Sequence, residues 1–227
     1  MSIVTYEQVA RRKNQILSVV SLATGKSVSF PAFLNNFSDN YTVSWGNEES
    51  FGRVDPVKPY RGTSRRISLS IVVLGPSQAK AEENLTQYSR FIQMLYPVYS
   101  EPLNARGSKA RTIKAPPILK VKLMNYIQSA DGTDGLIGCI SGLDFNPDFN
   151  SGHFVRQDGT IVPQAFTMNF SFIPQHDSEI GFNSSGDFLT DTFPYGQIQG
   201  PTVGQASEIN SPNGRSDVSN VMSIGII

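Results

Sequence analysis

The stretch Ser64-Arg65-Arg66-Ile67-Ser68-Leu69-Ser70-Ile71-Val72-Val73-Leu74 decides the fold. Ile67, Leu69, Ile71 and Val73 fall on one face, and Arg66, Ser68 and Ser70 on the other. Strict alternation means one buried face and one wet face, the pattern of an antiparallel sheet. The same period recurs on both sides. Val28, Phe30 and Ala32 alternate with Ser27 and Ser29, and Tyr41, Val43 and Trp45 with Thr42 and Ser44. Leu119, Val121 and Leu123 alternate with Lys120 and Lys122; Phe166, Met168, Phe170 and Phe172 alternate with Thr167, Asn169 and Ser171. Leu136 to Phe145 is more apolar and punctuated by glycine, as in a central or bent strand.

One segment breaks the period of two. Gly75-Pro76-Ser77 ends a strand and offers Ser77 as a helix cap. Ala81, Leu85, Tyr88, Ile92 and Leu95 then recur at helical steps, and Tyr96-Pro97 stops the run. The expected domain is therefore α+β and mainly β: antiparallel strands packed with one flanking helix over residues 25–182. Residues 1–24 read as an N-terminal arm, helical from Thr5. Arg11, Arg12 and Lys13 ahead of Ile16–Ala23 imitate a secretory signal, but Glu7 precedes them and no small-x-small site follows, so a docking helix is expected instead. Residues 183–227 are rich in Asn, Ser, Gly and Pro with little periodicity, and read as an extended arm that ends in the apolar run Val221–Ile227. Removing residues 183–227 is expected to reduce assembly more than it reduces the stability of the subunit.

Composition closes several classes. The chain has 227 residues, with 19 Lys+Arg against 19 Asp+Glu. Zero balance argues against a generic binder of nucleic acid or anionic membrane. It hides an asymmetry: residues 1–122 hold 17 basic and 8 acidic residues (+9), and residues 123–227 hold 2 and 11 (−9). Such halves can steer association. The single cysteine, Cys139, excludes an intramolecular disulfide and a cysteine-based zinc site. No apolar stretch approaches the roughly 20 residues that span a bilayer.

A search for chemistry finds little. Gly25-Lys26-Ser27 imitates the end of a phosphate-binding loop, but Val20 stands where that loop needs its first glycine. His153 and His176 stand near strand ends without a Gly-x-Ser-x-Gly elbow. Asp131, Asp134, Asp144 and Asp148 share one region, and Asp131-Gly132 and Asp134-Gly135 read as turns. No catalytic, metal or cofactor residues are expected. Trp45 suits an interface anchor, a sugar platform or the core. Arg106, Lys109, Arg111 and Lys114 lie in a connection, Glu101 to Pro117, that suits either a solvated loop or a basic arm meeting an acidic surface.

An ordered series of motifs goes further. Trp45 is followed by Phe51-Gly52-Arg53-Val54-Asp55-Pro56, Tyr60-Arg61-Gly62-Thr63-Ser64-Arg65 and the strand Ile67 to Leu74. The helix closes in Met94-Leu95-Tyr96-Pro97-Val98-Tyr99; then come Ala115-Pro116-Pro117-Ile118-Leu119, Gly135-Leu136-Ile137-Gly138, Pro163 and Ile173-Pro174-Gln175-His176. Over residues 40–182 this series resembles the tube-like baseplate proteins of contractile-tailed bacteriophages, the tail tube initiator or tube cap family. The resemblance implies two packed antiparallel sheets, a tail-tube-like β-sandwich or barrel with a flanking helix, and a six-membered ring around a lumen. It implies a structural protein of the virion, made in the host cytoplasm, that initiates or caps the tail tube. Its partners would be copies of itself, the tail tube protein, the hub and other baseplate proteins, with DNA only in transit and no membrane. No catalytic residues are implied. Assembly candidates are Trp45, Arg53, Arg65, Arg106, Lys109, Arg111, Lys114, Ile226 and Ile227. The rival reading is an accessory carbohydrate- or peptidoglycan-binding module, and a third is a hydrolase using His176 or an aspartate of 131–148.

Overall fold

The computed structural model describes residues 6–13, 15–31, 33–49, 51–52, 54–101, 111–190 and 193–196. A short helix α1 (Tyr6–Arg12) leads into β1 (Ile16–Ser21), β2 (Ser27–Pro31), β3 (Phe33–Trp45) and β4 (Tyr60–Leu74). Helix α2 (Gln78–Met94) follows, then β5 (Val98–Tyr99), β6 (Ile113–Ala115), β7 (Leu119–Leu123), β8 (Leu136–Val155) and β9 (Ile161–Gln175). The main sheet has seven strands in the order β2-β1-β7-β8-β9-β4-β3, and β5 pairs with β6 in a small second sheet. Every pairing in the main sheet is antiparallel. The protein is mainly β, as the alternation predicts.

Seven strands make one continuous, curled main sheet, because β1 pairs with both β2 and β7 and so joins its halves; β5 and β6 are the second sheet. The curl follows from connectivity. β2 and β3 are opposite edges of the strand order, yet β2 ends at Pro31 and β3 begins at Phe33. One intervening residue keeps those ends within about 7.6 Å, two Cα steps. The sheet therefore bends round until its edges meet at that corner, without closing into a barrel.

The enclosed face holds the core. Leu17 and Val19 of β1, Phe30 of β2, Ile67 and Ile71 of β4, Leu119 and Val121 of β7, and Met168 and Phe172 of β9 are all buried in one cluster. Each such side chain contributes about 1.5–3 kcal/mol by leaving water. Helix α2 fills the hollow. Ser77 caps it, accepting from the Lys80 N–H at 3.3 Å. Its buried face is Ala81, Asn84, Tyr88, Phe91 and Met94, not the stripe through Leu85 and Ile92. Phe91 takes the central position because its ring meets Phe30 and Phe170, at 6.3 and 5.9 Å between centroids. Asn84 can be buried because its Nδ2 donates to the Leu74 carbonyl at 3.1 Å, satisfying the end of β4.

The expected boundaries shift. The described residues, up to Gly196, belong to one compact unit. The helix expected at the N-terminus is present, but Ile16–Ser21 is a strand rather than part of an arm, since Leu17, Val19 and Ser21 alternate into the core. Residues 183–196 likewise belong to that unit. Gly138 shows how tight the central pairing is: a Cβ there would stand 2.8 Å from the Pro174 Cα and overlap the Ile173 carbonyl.

Candidate functional site

β3 and β4 outrun the sheet that supports them. β4 pairs with β9 only from Ile67 to Leu74, whereas its pairing with β3 continues from Arg66 down to Tyr60. The last seven residues, at about 3.3 Å each, make a two-stranded ribbon projecting about 23 Å. The enclosed face of the sheet continues along it: Phe37 pairs with Leu69, Asp39 with Ile67, Tyr41 with Arg65 and Val43 with Thr63, and Trp45 pairs with Tyr60 after a register shift. An apolar core stripe thus runs out past the core.

The near half of that stripe is covered by residues 193–195. Arg65 lies beneath them, its Nε donating to Asp39 Oδ1 at 3.0 Å and its Nη2 to Asp39 Oδ2 at 2.6 Å. Both side chains are about 2% exposed. The guanidinium sits 5.3 Å from the ring centres of both Tyr41 and Phe193. Tyr41 and Tyr195 each donate a hydroxyl hydrogen bond to Asp39, at 3.2 and 3.1 Å. Burial, followed by the Asp39 charge and hydrogen bond, raises the Tyr195 hydroxyl pKa. His176 packs edge-on against Phe193 at 5.4 Å. Burial first, then the Arg65 cation, holds its imidazole below the ordinary value, against the pull of Asp177 and Asp39. Arg65 was expected at an interface. It is instead an internal clamp tying the chain after β9 to the ribbon.

The far half of the stripe is bare. Val43 is 46% exposed, Trp45 56% and Tyr60 59%. Beyond the tip, Phe51 and Val54 are almost wholly exposed. A contiguous exposed apolar surface of this kind marks an interaction site. Trp45 and Tyr60 meet edge to face, 5.5 Å apart at 71°. That geometry offers no coplanar platform for a sugar ring.

The opposite face of the same strands is polar and nearly uncharged. Ser38, Asn40, Ser64, Ser68, Ser70, Asn169 and Ser171 share it by register, with Arg66, Asp144 and Asp148 as the charged members of the paired run. Ser68 and Ser171 hydroxyls lie 3.2 Å apart across β4 and β9.

Other expected sites fall as follows. Arg111 and Lys114 are exposed, Lys114 within β6. Arg53, Arg106, Lys109, Ile226 and Ile227 lie outside the described residues. His153 and His176 stand at opposite ends of the β8–β9 hairpin. Asp131 accepts from the Ser129 and Thr133 hydroxyls, which hold its pKa down to about 2. Asp148 accepts from Ser151 and the Asn150 N–H, so both carboxylates serve turns. Among the described residues no group of three or more His, Cys, Asp or Glu is placed to hold a metal. Val43, Tyr60, Phe51 and Val54 were missed as surface anchors. The alternation through Val43 signals a strand, and nothing local says that the strand outlasts its cover or that Phe51 and Val54 in the connection stay bare.

No family model matches the chain. No curated protein matches it either. A solved structure that it resembles is a chain of the cryo-EM structure of the anti-feeding prophage (AFP) baseplate, 6-fold symmetrised. The identity is 10%, the TM-score 0.29, and the match covers 70% of this chain and 87% of that one.

Proposed function

We propose that this chain is a non-enzymatic structural subunit of a phage-like tail baseplate, forming a ring that initiates or caps the tail tube and joins it to the hub. The observation that carries the assembly reading is the bare half of the ribbon. A core stripe has been extended beyond the subunit's own core, which leaves Val43, Trp45 and Tyr60 exposed for another chain to cover. The ordered motifs of residues 40–182 support the baseplate reading, since each falls on or beside the ribbon, α2 or the central hairpin. A ring needs a heterologous interface, one surface of a subunit against a different surface of the next. The β3 edge, open along 13 residues among those described, suits such a join. The hydroxyl- and amide-lined face suits a lumen, because Arg66 is a lone cation among its serines and asparagines, too little positive charge to hold phosphates and stall DNA in transit.

The test is negative-stain electron microscopy of the purified chain mixed with its tail tube and hub partners. Rings are expected with the natural sequence. The double variant Trp45→Ala/Tyr60→Ala should unfold at the same temperature and form none. Rings that persist in the double variant would remove the ribbon from the interface, and no rings with the natural sequence would sink the baseplate reading.

A further inference from the structure

A second surface has a different chemistry. A cleft of about 700 Å³ lies between the β1–β2 turn, the C-terminal end of α2 and the entry to β7. Its walls include Tyr96, Pro97, Pro116 and Pro117, with Met94 buried at its margin, and its cations are Lys26 and Arg90. None of its lining residues is acidic. Three other clefts among the described residues carry carboxylates: Asp131, Asp134 and Asp177 in one, Glu82 and Asp158 in another, Asp144 in a third. Lys26 and Arg90 are both exposed and have no carboxylate partner among the described residues.

The backbone donors of Gly25 and Lys26 in the turn are already committed. The Gly25 N–H donates to the Ser21 carbonyl at 2.8 Å, and the Lys26 N–H reaches the Thr24 hydroxyl at 3.4 Å. Gly25-Lys26-Ser27 therefore offers no cradle of free N–H groups for a phosphate. Pro97, Pro116 and Pro117 have no N–H to give. What remains are side-chain donors with positive charge beside proline and tyrosine rings. A ligand matching that surface supplies carboxylate oxygens and apolar side chains together.

We infer that this cleft docks an extended segment of a partner protein carrying acidic residues among prolines and leucines, its carboxylates meeting Lys26 and Arg90. The favoured class is peptide over nucleic acid, because two cations are few for a phosphate backbone while the ring-lined remainder suits apolar side chains. This site lies apart from the ribbon and stands whether or not the chain forms rings.

The test uses the full chain, isotope-labelled for NMR, and the acetylated peptide Pro-Leu-Glu-Pro-Leu-Glu-Pro as probe. Shifts are expected to cluster at Gly25, Lys26 and Tyr96. Replacing both glutamates of the probe by glutamine should weaken binding about tenfold or more, and so should Lys26→Glu/Arg90→Glu in the protein. The unfolding temperature of that variant should not move, since both side chains are exposed. The inference is overturned by no response at Gly25 and Tyr96 up to about 5 mM probe, or by binding indifferent to charge reversal. It is equally overturned if a ten-nucleotide oligothymidylate occupies the same residues more tightly than the peptide.

Discussion

At the scale of single residues, the Arg65–Asp39 pair explains how a projecting ribbon stays ordered. A buried ion pair is neutral to stability on average, but removing one partner leaves a buried charge and costs about 3–5 kcal/mol. Asp39→Ala should lower the unfolding free energy by that amount in urea titration, while Trp45→Ala, on the bare half, should change it by less than about 0.5 kcal/mol. His176 adds a pH dependence. Its folded pKa lies below the ordinary 6.5, because burial and Arg65 disfavour the cation. The unfolded chain therefore binds the proton first as pH falls. His176 contributes stability that is fully present above 6.5 and is lost between that value and its lower folded one. Thermal unfolding midpoints should fall across that window in the natural chain, and His176→Gln should flatten the slope. An unchanged slope would show that the imidazole is as wet folded as unfolded.

At the scale of elements, the period of two located β2, β4, β7 and β9, and the 3.6 period with Ser77 located α2. Helical spacing alone admits two stripes around Tyr88, one through Leu85 and Ile92 and one through Asn84 and Phe91. Packing chose the second, because the hollow of the sheet needs a large ring against Phe30 and Phe170, and because Asn84 closes the Leu74 carbonyl. Phe91→Ala should cost about 3–5 kcal/mol by leaving a cavity. Ile92→Ala, at a position 37% exposed, should cost less than about 1 kcal/mol. Chemical denaturation of the pair decides the face, and equal losses would refute the assignment. β1 was misread for a related reason. Six residues behind a basic helix look like an arm, and only pairing with β2 and β7 makes them a strand.

At the scale of the whole molecule, the clamp redefines what the tail does. Phe193 and Tyr195 cover Arg65 and Asp39, so they are part of the folded unit rather than of an arm. A chain ending at residue 182 should lose several degrees of thermal stability, because it strips that cover from the buried pair. A chain ending at residue 196 should keep its unfolding temperature. Equal midpoints for both would remove the clamp from the stability of the subunit. The opposite charges of the two sequence halves are also partly spent inside the subunit: Lys120 of the basic half pairs with Asp134 of the acidic half at 2.5 Å.

The sequence by itself determined the class of the fold, the place of most strands and the cap of α2, because alternation, helical period and turn residues are local properties. It also placed Trp45 among the interface candidates. Only the tertiary structure decided that seven strands share one main sheet, that Arg65 is buried while Trp45 is bare, and that Lys26 and Arg90 share a cleft with three prolines. The reason is that burial depends on what lies across the sheet. Arg65 and Val43 stand on the same alternating face, and they differ only because residues 193–195, more than a hundred positions away, stop short of the ribbon's end.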